Sequence, residues 1–169
     1  MSVDTRWLTS EQLATWVRLA AVLELLPATL DSQLRRDAEL THFDYYVLAM
    51  LSEAPEHTLR MTALAERTTA TLARLSHVVQ RLEGRGLLER FPCPEDRRAT
   101  NARLTEAGWQ KVQDSAPGHV AIVREKVIDA LSPEQVTQLG EITGAILRRL
   151  DPDGDRAAIY QRYSPPGDS

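Results

Sequence analysis

Residues 64–108 read LAERTTATLARLSHVVQRLEGRGLLERFPCPEDRRATNARLTEAG, and this stretch decides the fold. A helix is expected from Met61 to Thr68, then a turn through Thr69 and Ala70. A second helix follows from Thr71 to Glu83, stopped by Gly84 and Gly86. In that second helix Leu75, Val78, Val79 and Leu82, with Ala70 ahead of them, fall on one stripe at helical spacing. Ala73, Arg74, Ser76, His77, Gln80 and Arg81 are left on or near the outward face. Past Gly86 the pattern changes to Leu-Leu-Glu-Arg-Phe, a polar turn Pro-Glu-Asp-Arg-Arg, then Ala-Thr-Asn-Ala-Arg-Leu-Thr. These are two short strands joined by a charged loop. The order is helix, tight turn, helix, hairpin.

The charge of this stretch points to a polyanion. The 169 residues carry 20 Lys and Arg against 24 Asp and Glu, a formal net charge of -4 that alone argues against nucleic acid. The average hides an asymmetry. From Arg60 to Arg103 there are nine Arg and no Lys, against Glu66, Glu83, Glu89, Glu95 and Asp96. A basic segment inside an acidic chain is a local electrostatic footprint, and the acidic remainder limits indiscriminate adhesion. The competing reading is a solvated charged surface. The outward face of the second helix favours DNA: Arg donates paired hydrogen bonds to guanine and Gln to adenine. Ser or a small apolar side chain allows close approach to a base edge or thymine methyl.

Outward from this centre, long helices are expected on both sides. The first runs from about Thr9 to Leu40, with Thr9 as N-cap and Gln12 as its capping-box partner. Leu13, Trp16, Val17, Ala20, Leu23, Leu30 and Leu34 make one broad apolar face, and Pro27 should kink or split the rod. A shorter helix starts at Thr41, with Asp44 in the capping-box position, and ends at Pro55. From Thr105 to Ala130 the helical pattern returns, interrupted by Pro117 and Gly118. The last helix opens at Ser132, with Pro133 at its first position and Gln135 completing a capping box. The tail 151–169 is expected to be loosely ordered. With 43% hydrophobic and 26% charged residues the chain suits one compact domain. Cys93 is the single cysteine, so neither a disulfide nor a multi-thiolate metal site is expected to hold the chain together.

Taken together, Leu-Ala-Glu-Arg at 64–67, Arg-Leu-Glu-x-x-Gly-Leu at 81–87, Asp-x-Arg at 96–98 and Leu-Thr-x-x-Gly at 104–108 carry a resemblance. The chain resembles MarR-type winged helix-turn-helix transcriptional regulators over roughly residues 10–150. The resemblance implies a mainly α fold with a small β-hairpin wing. The DNA-binding lobe would span 41–104, and dimerisation helices would span 10–40 and 105–150. It implies a homodimer on a palindromic operator, acting as a ligand-responsive repressor. In the wing, Arg98 would enter the minor groove, Asp96 would hold its guanidinium, and Arg97 would contact phosphate. Thr71 is read as the cap of the recognition helix and a phosphate contact. With Ala73, Arg74, Ser76, His77, Gln80 and Arg81, these are the expected DNA-binding residues.

An effector, aromatic or otherwise amphipathic, is expected between the dimer helices and the winged lobe. Its candidate neighbours are Trp16, His42, Tyr45, Tyr46 and His119, for each of which core packing is the competing reading. Peroxide sensors of this family use a cysteine near the start of the chain, and here there is none; Cys93 lies in the wing. The histidines 42, 57, 77 and 119 show no tight metal-ligand spacing, no cofactor is implied, and no enzyme constellation is present. An alternative is a winged-helix protein-interaction module without DNA binding, which the Arg-rich face argues against. No window approaches the roughly 20 uninterrupted apolar residues of a bilayer span, and the N-terminus, with Asp4, Arg6 and Glu11 close behind Met1, lacks the apolar core of a secretion signal. A cytoplasmic protein is therefore expected, without a membrane partner.

Overall fold

The computed structural model describes residues 5–94 and 96–154, with Arg97 described by its backbone alone. Most of the tail read as loosely ordered, from 155 onward, lies outside the described residues. α1 (Ser10–Ala38) opens with the expected capping box: Thr9 Oγ1 accepts the Gln12 N–H at 3.2 Å, and Gln12 Oε1 accepts the Thr9 N–H at 2.9 Å. The expected break at Pro27 does not occur; α1 is one helix through it. A proline removes the donor to the carbonyl four residues back, here that of Leu23. Leu23 is 60% exposed, so water can take the vacant acceptor and the rod stays whole.

The apolar stripe of α1 is covered by its own chain only at its end. Leu30, Gln33, Leu34 and Ala38 are buried, while Leu13, Trp16, Val17 and Leu23 stand open. An 18-residue stretch of α1 has a mean hydropathy of 1.5 and is long and apolar enough, by length and composition, to cross a bilayer. Arg18 and Glu24 interrupt that part of the helix, which is why no uninterrupted apolar run shows in the sequence.

α2 (His42–Ser52) begins at the second capping box, in which Thr41 and Asp44 exchange hydrogen bonds of 2.9 Å. β1 (Thr58–Arg60), α3 (Met61–Arg67), α4 (Leu72–Gly84), β2 (Leu88–Cys93) and β3 (Asp96–Leu104) complete the central lobe. α5 (Glu106–Val123), a π-helical turn at Arg124–Ile128 and α6 (Pro133–Leu150) follow. The fold is mainly helical with a small antiparallel wing, as the sequence implies.

β1 has no counterpart in the sequence reading. It pairs antiparallel with β3, Leu59 opposite Ala102, so the hairpin becomes a three-stranded sheet ordered β1-β3-β2. Three residues are too few to show a period of two, and the unpaired edge of β3 supplies the partner. Leu34, Leu40, Leu48, Leu51, Leu64, Leu75, Leu82 and Leu88 are fully buried in one core that joins the end of α1, α2, the two central helices and the sheet.

Gly108 explains the glycine of the Leu-Thr-x-x-Gly motif. Its N–H is held by the N-cap hydroxyl of Thr105 at 3.0 Å, and it is buried where α5 crosses the sheet. A Cβ at this position would lie 1.9 Å from the Leu87 carbonyl oxygen and 2.8 Å from Leu104 Cδ1. Backbone cannot retract as a flexible side chain can. Gly108→Ala should therefore destabilise the protein by about 3 kcal/mol, the upper end of overpacking costs. Urea unfolding checks this, and an unchanged midpoint would contradict the packing of α5 on Leu87 and the end of β3.

Candidate nucleic-acid interface

The turn between α3 and α4 is closed locally. Thr68 Oγ1 donates to the Leu64 carbonyl at 2.7 Å and Ala70 N–H to the Ala65 carbonyl at 3.0 Å, while Thr69 takes a left-handed φ of 53°. α4 then starts from Thr71, whose hydroxyl accepts the Arg74 N–H at 3.3 Å. Leu75, Val78, Val79 and Leu82 are buried, as their spacing requires. Ala73, His77 and Gln80 are exposed and Ser76 is half-buried, so these four form one outward face.

At about 100° per residue, Arg74, Arg81 and Arg85 share one flank of α4, turned toward the junction of α1 and α2. There the structure gives them partners. The Arg74 guanidinium stacks 4.2 Å above the Phe43 ring, and Arg85 donates to the Glu39 carbonyl at 3.0 Å. Arg81 forms an ion pair with Asp44, whose side chain is only 2% exposed. Asp44 thus serves twice, through Oδ2 to the Thr41 N–H and through Oδ1 to Arg81. On the opposite flank Glu83 receives the backbone N–H and guanidinium of Arg90 at 2.6 to 2.9 Å, which ties β2 to α4. These bonds to Arg90 hold the Glu83 carboxyl below its usual range.

In the wing, Asp96 Oδ1 accepts the backbone N–H of Arg98 at 3.0 Å, whereas the resemblance implied a grip on the Arg98 guanidinium. The carboxylate shapes the turn, and the Arg98 side chain is exposed. The Arg97 side chain lies outside the described residues. Between the wing and the helices runs a cleft of about 220 Å³, lined by Arg60, Thr62, Leu72, Ser76, Arg90 and Arg98 among others. Arg60, Arg90 and Leu72 were absent from the expected site. Arg60 stands on β1, which the local pattern does not show; Arg90 lies on the expected hairpin, but only the packing of the sheet beside α4 brings it to the cleft, and Leu72 reads as one more apolar helix residue.

The five residues suggested for an effector do not converge. Tyr45 and His119 approach with ring centroids 4.7 Å apart, and His42 stacks on His119 at 6.1 Å, where α2 meets α5. Tyr46 instead turns into the winged lobe and donates its hydroxyl to the Arg67 carbonyl at 3.1 Å. Trp16 is 54% exposed on the open part of α1. His119 Nδ1 is buried without a hydrogen-bond partner. Cys93 is buried in β2, and among the described residues no three His, Cys, Asp or Glu side chains converge on a point that could hold a metal.

Burial pushes both His42 and His119 below the ordinary histidine value of 6.5, and His42 lowers His119 further, while the Asp31 carboxylate partly offsets the shift of His42. Folding therefore favours the neutral rings. Their contribution to stability is complete above pH 6.5 and is lost as pH falls from there toward the lowered folded values. The thermal midpoint should drop between pH 7.5 and pH 5.5, on the order of a few degrees for a domain this size. In a His42→Gln, His119→Gln protein that drop should flatten; an equally steep drop would assign the dependence to other groups.

Comparison with known proteins agrees with this geometry. A family model described as the MarR family matches residues 40–100. The transcriptional repressor YetL of Bacillus subtilis is 25% identical over 140 residues, 78% of this chain and 83% of the relative. Among solved structures, Sco3205 of Streptomyces coelicolor, a MarR family transcriptional regulator in complex with DNA, is 43% identical with a TM-score of 0.84. That match covers 88% of this chain and 93% of the neighbour. AbsC, a MarR family regulator of the same organism, is 39% identical with a TM-score of 0.82, covering 86% and 98%. With the winged helix-turn-helix built as described and a relative of this identity matched over nearly its full length, the chain belongs to the MarR family of transcriptional regulators.

Proposed function

We propose that the protein is a cytoplasmic, sequence-specific DNA-binding repressor that acts as a homodimer on a palindromic operator and has no catalytic activity. The observation that carries this reading is the outward face of α4, Ala73, Ser76, His77 and Gln80, standing beside an arginine-rimmed cleft under the wing. A helix on that scale fits a major groove, and arginines at its edge suit the flanking phosphates and minor groove. Thr71 and Arg97 remain candidate phosphate contacts, and Arg74 and Arg81 would reach bases only by leaving Phe43 and Asp44. That Sco3205 was solved with DNA and that YetL is a repressor support the assignment.

Residues 41–104 form the DNA-binding lobe in this reading, and 10–40 and 105–150 the dimerisation helices. Trp16, Val17 and Leu23 on α1 and Leu139, Ile142 and Ile146 on α6 are exposed, and no residue of α6 is buried by its own chain. A second copy covers these faces without stranding Arg18 and Glu24, which a bilayer would penalise by about 2.5 to 3.5 kcal/mol for each charge at its centre. Two recognition helices then meet successive major grooves about 34 Å apart. The His42, Tyr45 and His119 cluster, at the junction of dimer helices and lobe, is where an aromatic effector would act.

The test is binding to a random duplex library. A recovered palindrome bound by two chains supports the proposal; a monomer that enriches no sequence contradicts it. Deleting 133–150 should leave the protein insoluble or unfolded, because α1 then loses its partner surface. A folded, monomeric truncation in sedimentation and circular dichroism would overturn the dimer.

A further inference from the structure

We propose that Leu72 reads the 5-methyl group of a thymine in the major groove, a contact that rests on the DNA-binding reading above and adds a specificity determinant to it. Leu72 is 48% exposed, and among the described residues it is the only large hydrophobic residue between 41 and 104 that stands open, while the other leucines of this lobe are buried or, at Leu59, partly buried. Its place is the first position of α4, directly after the Thr71 cap. A helical side chain leans toward the helix N-terminus, and the N-terminal residues of a recognition helix are those that reach base edges. Leu72 therefore projects from the leading end of the helix, next to the outward face of Ala73 and Ser76.

Its surroundings combine cationic, polar and small apolar side chains. It borders two hollows at once: the cleft under the wing, with Arg90 and Arg98, and a second hollow of about 460 Å³ between α3 and α4, with Thr62, Glu66 and Thr69. Around Leu72 the apolar lining is small, Met61 and Ala99 in the cleft and Ala65 and Ala70 in the second hollow, and the larger exposed apolar faces available for a second copy lie on α1 and α6. Leu72, the large exposed apolar side chain among the described residues of this lobe, stands beside the arginines of the cleft and suits the one apolar feature of the major groove, the thymine methyl, which cytosine lacks. The side chain can pack on that methyl while the arginines hold the adjoining phosphates. It thereby discriminates A·T from G·C without a hydrogen bond.

The operator recovered from the random library is synthesised with each thymine replaced in turn by deoxyuridine, which removes only the methyl. The parent protein should lose about fourfold in affinity for each half-site at one symmetry-related pair of thymines, the increment expected for one buried methyl group. Leu72→Ala should bind the parent operator more weakly by a similar factor and be indifferent to deoxyuridine at that pair. Leu72→Met should keep most of the sensitivity. Circular dichroism confirms that both variants fold. A parent protein insensitive to every deoxyuridine, or a Leu72→Ala protein that keeps the full loss, overturns the contact while leaving DNA binding intact. Failure of the parent protein to enrich any sequence overturns the DNA-binding reading and this contact with it.

Discussion

Raising the salt from about 50 to about 200 mM should weaken operator binding about a thousandfold, despite the net charge of -4. The reason is local. Each lobe brings Arg60, Arg90 and Arg98 to the cleft under the wing, so a dimer presents six arginines where phosphates would pass. Six neutralised phosphates release condensed counterions enough for about three decades of affinity over that range. The value belongs at the low end because Arg90 shares its charge with Glu83. The acidic remainder of the chain lies mostly on other elements and is screened within about 10 Å at 0.1 M salt. Fluorescence anisotropy of a labelled operator measures the slope. Arg98→Ala should flatten it by about one contact per chain and weaken binding to all operators with A·T-rich flanks, where the minor groove is narrow. A flat slope in the parent protein would remove the electrostatic mechanism.

Arg81→Ala should cost about 2 kcal/mol of folding stability, because a half-exposed guanidinium pairs with a buried carboxylate and its loss leaves that carboxylate short of a donor. Asp44 is 2% exposed and cannot recover from water what the guanidinium supplies. Against a total stability of roughly 5 to 15 kcal/mol, that loss would be visible as a large shift of the urea midpoint. The companion Gln80→Ala, on the outward face, should unfold like the parent while altering operator preference. The two variants separate roles that the sequence alone puts on one face. Equal stability of Arg81→Ala and the parent would show that the pair contributes little, and would return Arg81 to the candidate base contacts.

The sequence by itself determined the helices, their caps and the order of the lobe. Thr9 with Gln12, Thr41 with Asp44 and Ser132 with Gln135 are capping boxes because the partners stand three residues apart, and each forms as read. Leu75, Val78, Val79 and Leu82 are buried because a helix brings that spacing to one side. Such signals span less than two turns, so the chain carries them before it folds. Tertiary structure decided what distant segments do to one another. Arg81 meets Asp44 across 37 residues, Arg74 finds Phe43, and β1 exists only because β3 offers an edge. It also left the stripe of α1 open and set Leu72 outside the core, though both read as ordinary apolar helix positions. Periodicity states that a face is apolar; which surface covers it depends on the packing of every other element, and local spacing carries no information about that.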